Sequence, residues 1–143
     1  MNQLTKLLLL GIHNAFFLYF LFLPQGNFYR IARLTGWTYD FTSIAITIVC
    51  ILLFIAMTIT LYVLTRKLFN DRVSIAYWSM MIWIPFYVIL IVLNRLYLPI
   101  IRAGENPSPV TGLLLIITWF IFPFFIGLVT SIAISQTKKR TSH

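Results

Sequence analysis

The amino-acid sequence predicts an all-α integral membrane protein whose four helices cross the bilayer as one bundle, and three observations carry that expectation. Four apolar stretches, at about residues 4–23, 41–65, 73–94 and 110–135, approach or exceed the ~20 residues that span about 30 Å of hydrocarbon. No Asp, Glu, Lys or Arg interrupts them except Lys6 near one end. Of 143 residues 60% are apolar and 10% charged, and the mean hydropathy is +0.92, a balance that a soluble core of this size would leave partly uncovered. The net charge of +8 is not gathered into a patch that would suit nucleic acid. Its bases stand at the ends and joints of the apolar stretches, where lipid head groups lie.

Taken in order, the first stretch follows Lys6 as a signal peptide would, but Pro24-Gln25-Gly26-Asn27 offers no small-residue cleavage pattern, so it is read as a retained span that ends at the proline and glycine. Between it and the second span, Phe28, Ile31 and Leu34 repeat at helical spacing while Arg30 and Arg33 take another side. This predicts a short amphipathic helix on the membrane surface, capped by Asn27 and stopped by Gly36. The second span is the longest of the first three and should tilt or protrude. Asn70 or Asp71 can cap the third, and Ser108 before Pro109 is an N-cap and N1 pair for the fourth. No soluble domain is expected, and residues 1–143 are read as a single transmembrane domain.

Orientation follows from the bases beside the spans. Lys6, Arg66, Lys67, Arg72, Lys138, Lys139 and Arg140 share one side, seven against the four of Arg30, Arg33, Arg95 and Arg102. The seven belong in the cytoplasm, which puts both termini there and the Arg-only loops outside. The phenylalanine, isoleucine and tyrosine richness points to a bacterial cytoplasmic membrane.

In lipid, apolar surface gives helices no net drive to associate, so small residues and hydroxyls mark their contacts. Gly11, Asn14, Ala15 and Leu18 form one stripe on the first span, and Pro123, Gly127, Ser131 and Ser135 form another on the fourth. The two are expected to meet. On the second span Ser43, Thr47, Cys50, Thr58 and Thr65 share a side with Phe54, whereas Thr42 and Thr60 point about 120° away at 100° per residue. That stripe is read as the interior face of the bundle, with a polar pathway gated by Phe54 as the alternative. Pro85 and Pro123 fall near mid-span and release the carbonyls of Met81 and Trp119.

Chemistry has little to work with. A carboxylate at the bilayer centre costs about 3 kcal/mol, and no span holds one, which argues against proton coupling through a buried acid and against carboxylate metal sites. The single cysteine, Cys50, excludes an internal disulfide, a CxxC pair and a thiolate zinc site. His13 is the one imidazole inside a span, and the other, His143, is terminal, so neither a metal site nor a haem is expected and His13 is read as a hydrogen-bonded structural residue. Asn14 is read as helix glue. Arg30, Arg33, Arg95 and Arg102 are the candidate anion or head-group contacts, through snorkelling and pairing with Asp40 and Glu105 or through recognition of a lipid phosphate. No catalytic residue and no cofactor is expected. The function expected is that of a non-catalytic accessory or interaction subunit, including immunity-type binding, whose partners are membrane lipids and another membrane protein or a second copy. A self-associating pore or transporter and an outer-surface lipid-phosphate binder or enzyme are the alternatives.

Overall fold

The computed structural model describes residues 2–69, 73–100 and 103–141. Among them it is all-helical, and four helices are long and apolar enough to cross a membrane.

Helix α1 (Gln3–Gly26) continues through Pro24 instead of ending before it. At its end the backbone N–H and the side-chain amide of Asn27 both donate to the Leu23 carbonyl, at 3.2 and 2.9 Å. Having bonded backwards, that side chain makes no capping bond to α2 (Phe28–Thr35), contrary to the role expected of it. Helix α2 stops, as its sequence predicts, at Gly36, whose φ of 71° is the left-handed conformation that glycine adopts without a Cβ clash. Thr38 then caps α3 (Tyr39–Leu68) by accepting the Phe41 N–H at 3.3 Å. At 30 residues and 1.5 Å per residue α3 is about 45 Å long, well over the hydrocarbon thickness.

The third predicted span is divided. A four-residue helix α4 (Val73–Ala76) is separated from α5 (Ser79–Tyr97) by a turn at Tyr77 and Trp78. The Ser79 hydroxyl takes the Ala76 carbonyl at 2.7 Å, and three-residue backbone bonds from Met80 to Tyr77 and from Met81 to Trp78 tighten the chain there. The proposed caps Asn70 and Asp71 lie outside the described residues. After a 3-10 turn at Ala103–Glu105, α6 (Pro109–Thr141) begins at Ser108, whose Oγ accepts the Thr111 N–H at 3.3 Å, as the Ser-Pro pair predicts.

The four long helices form a ring. Helix α1 packs along α5 on one side and α3 on another, and α6 closes the ring against α3 and α5. The centre is aromatic. Phe17 of α1 meets Phe122 and Phe125 of α6 at ring-centroid distances of 5.5 and 5.8 Å and Phe54 of α3 at 5.7 Å, while Trp83 of α5 stands edge-on to Phe122 at 5.1 Å. All four long helices thus supply rings to one plug, in which Phe17–Phe54 and Trp83–Phe122 meet edge to face, as aromatic quadrupoles prefer, and Phe54 sits at the exposed edge. The outside is apolar as well: Ile44, Ile48, Ile55, Phe120, Phe124 and Leu128 are all exposed, as expected where the solvent is lipid.

Two packing expectations are corrected. The small stripes of α1 and α6 do not pair with each other, since both receive side chains from the start of α5. A Cβ placed on Gly11 would lie 2.6 Å from Ile82 Cγ2, and one on Gly127 would lie 3.0 Å from Met80 Cε. Helices α1 and α6 meet instead through the phenylalanines. Ala15 is buried, Ser131 bonds Tyr77 across to the α4–α5 turn at 2.9 Å, and Ser135 is exposed with its hydroxyl on its own helix, at the Ile132 carbonyl. The face of α3 is the expected one only in part: Cys50 and Thr65 of the stripe are buried, but its first two hydroxyls are not. Thr42, Ile46, Cys50, Leu61 and Thr65 are buried, whereas Ser43 and Thr47 are exposed. A helix hydroxyl can bond its own chain, as Thr58 does to the Phe54 carbonyl at 2.6 Å, so its position says little about which face a neighbour covers.

Candidate functional site

Polar side chains within the bundle are used mainly to tie helices together. His13 Nε2 lies 2.8 Å from Thr60 Oγ1, which itself donates to the Met57 carbonyl at 2.9 Å and so accepts from the imidazole. Asn14 Nδ2 donates to the Ser79 carbonyl at 3.5 Å. Adjacent residues of α1 therefore bond α3 and α5, and Thr60, one of the two hydroxyls outside the expected stripe, is the histidine's partner. Farther along, Tyr19 donates to Asn94 Oδ1 at 3.1 Å, again joining α1 to α5. Near the ends of α3 and α6, Tyr62 donates to Gln136 Oε1 at 2.6 Å and receives Arg66 Nη1 at 3.2 Å. Sequence reasoning missed the tyrosine bonds, because a tyrosine in an apolar stretch looks the same whether its hydroxyl meets a partner or head groups.

Of the four arginines expected outside, Arg30, Arg33 and Arg95 lie among the described residues, and they are not one cluster. Arg30 and Arg33, three residues apart on α2, converge on Glu105 of the 3-10 turn. Arg33 reaches Oε1 through Nε at 2.6 Å and Nη2 at 2.5 Å, and Arg30 reaches Oε2 through Nε at 3.3 Å. A further bond from Arg30 Nη2 to the Pro99 carbonyl, at 2.7 Å, fastens α2 to the segment after α5. Glu105 is only 6% exposed. Burial by itself would raise its carboxyl pKa, but hydrogen bonds and charge from Arg33 and Arg30 outweigh that and hold it below its ordinary value. Arg95 is exposed near the end of α5 and makes no ion pair with any described residue, and Arg102 lies outside the described residues.

The clamp gives a direct expectation. Because folding lowers the Glu105 pKa, its stabilising contribution is present above the ordinary carboxylate value and is lost as pH falls through the folded value. Protection of the α2 amides, measured against their intrinsic exchange rate at each pH, should therefore fall as the pH drops through the folded Glu105 value. Glu105→Gln should exchange quickly at neutral pH and lose most of that pH dependence. Unchanged protection of α2 in the variant would show that the clamp does not hold the helix.

Two recesses flank the clamp. One, of about 360 Å³, lies between α3 and the start of α6 and is lined by Gln25, Phe28, Tyr29, Ser43, Ile46, Thr47, Ser108 and Thr111. Ser43 and Thr47 form no hydrogen bond with another described residue, and both are exposed. The hydroxyls assigned to the interior by their spacing therefore line a lateral cleft. The other recess, of about 620 Å³, runs between α1 and α5 with α6 behind it, and has Arg95 on its wall. Among the described residues, no group of three or more His, Cys, Asp or Glu is placed to hold a metal ion.

Comparison of the chain with protein-family models, curated proteins and solved structures yields no match, so function is argued from geometry alone.

Proposed function

We propose that this chain is a small polytopic protein of the bacterial cytoplasmic membrane that acts without catalysis, as an accessory or interaction subunit binding another membrane protein within the bilayer. In this reading both termini and the α3–α4 junction face the cytoplasm, by the seven-to-four distribution of bases. Helix α2 then lies at the outer surface, with Ala32 buried, Leu34 exposed and its arginines toward Glu105.

The observation that carries the reading is the cleft between α3 and α6. Its hydroxyls at Ser43 and Thr47 are exposed and have no side-chain hydrogen bond to any described residue. A hydroxyl in lipid can still bond its own helix, but lipid tails offer it nothing more, whereas a neighbouring protein supplies a second bond. The aromatic plug favours this reading over a pathway through the single bundle.

The test is crosslinking in native membranes. Ser43→Cys and Thr47→Cys chains carrying a short thiol-linked photocrosslinker should each capture one discrete heterologous protein. Ile89→Cys, on an exposed part of α5, should not. Capture of a second copy alone would point to self-association, and absence of any adduct from the cleft positions would overturn the proposal.

A further inference from the structure

The recess between α1 and α5 has the dimensions and polarity of a site for one lipid chain with its phosphate. Tyr87, Ile91, Asn94 and Arg95 of α5 line it, with Leu98 just after the helix, and these positions share one side of a helical turn pattern. Tyr19, Phe22, Leu23 and Gly26 of α1, with Asn27 just after it, line it in the same way. Tyr87 to Leu98 covers about 16 Å at 1.5 Å per residue, close to the ~15 Å that a single leaflet contributes to the hydrocarbon. The groove is apolar along Phe22, Leu23, Ile91 and Leu115. At one end it becomes polar, where Asn27, Asn94, Arg95 and Asn106 gather.

The charge at that end is uncommitted. Of the carboxylates, Glu105 is occupied by Arg30 and Arg33, and Arg95 has no hydrogen-bond or ion-pair partner among the described residues. The Arg30 bond to the Pro99 carbonyl holds the wall beside it. A guanidinium with free N–H groups next to amides, above an apolar slot one leaflet long, is complementary to an anionic phosphodiester on an acyl chain.

We infer that the α1–α5 groove binds one anionic glycerophospholipid of the leaflet facing α2, its acyl chain lying between Leu23 and Ile91 and its phosphate on Arg95. The site is separate from the α3–α6 cleft and does not depend on the protein having a partner there.

The full chain, purified in mild detergent, can be exchanged into nanodiscs containing equal phosphatidylglycerol and phosphatidylcholine, and the lipid retained on re-extraction counted by native mass spectrometry. The expected result is one retained lipid per chain, with a preference for phosphatidylglycerol of about tenfold, because phosphatidylcholine offers the same phosphodiester with a choline cation that repels Arg95 and offsets the charge it meets. Arg95→Gln should abolish the preference and Arg95→Lys should keep part of it. Gly26→Phe tests the apolar slot independently, because Gly26 lines the groove and a Cβ there meets nothing within 4 Å; an unchanged circular dichroism spectrum and detergent stability check that the helices are undisturbed. The substitution should remove the retained lipid whichever head group is offered. Equal retention of the two lipids by the unaltered chain, or unchanged retention by Gly26→Phe, would overturn the inference.

Discussion

Phe17→Ala is expected to loosen the whole bundle, with a loss on the order of 2 kcal/mol at roughly 24 cal/mol per Å³ for a void of about 100 Å³. Phe17 is 2% exposed and touches rings from α3 and α6 at once. In lipid the ring is not driven inward by water, so the loss comes from dispersion contacts that a void cannot replace. Its neighbour Phe16 supplies the control. That ring is exposed and stacks only on Phe20 of its own helix, and Phe16→Ala should cost much less. Reversible unfolding in mixed detergent would separate the two, and equal losses would show that the central rings do not hold the helices together.

The second large effect is expected at Gly11. A methyl group there would stand 2.6 Å from Ile82 Cγ2 and 3.3 Å from the Ile82 carbonyl oxygen. The first atom is a branch on a stiff β-carbon and the second is backbone, so α1 and α5 must move apart. Overpacking of this kind costs about 1–3 kcal/mol. Ile82→Ala in the same chain removes the nearest atom and should recover part of the loss, a coupling that a double-mutant cycle measures. Gly127→Ala is the informative contrast. There the nearest atoms are Met80 Cε and Sδ, at 3.0 and 3.1 Å, the flexible end of a side chain that can rotate away. Its cost should be small, and a loss equal to that of Gly11→Ala would refute the assignment of Gly11 as the close contact.

Both glycines were visible in the sequence as members of small-residue stripes, but not what each receives. Spacing along one helix reports which residues share a side. It contains nothing about which neighbour arrives there, and here the neighbour is the start of α5 in both cases. The arginines show the same division. That the bases of the loops around α2 and after α5 are all arginine is written in the chain, as are Glu105 and the three-residue spacing of Arg30 and Arg33. That two of them close on one carboxylate, leaving Arg95 to a groove, depends on how α2 folds back over the turn at Ala103–Glu105.

The number of long apolar helices, the existence of α2, its stop at Gly36 and the start of α6 at Ser108 could be read from residues alone, because each rests on hydrophobic length or on a backbone rule acting within a few positions. The turn at Tyr77 and Trp78, the outward setting of Ser43 and Thr47, the His13–Thr60 bond and the aromatic plug required the folded chain. Their cause is the packing of surfaces from helices far apart in sequence. Among apolar side chains in an apolar solvent, shape and a few hydrogen bonds choose the partners, and neither leaves a periodic trace.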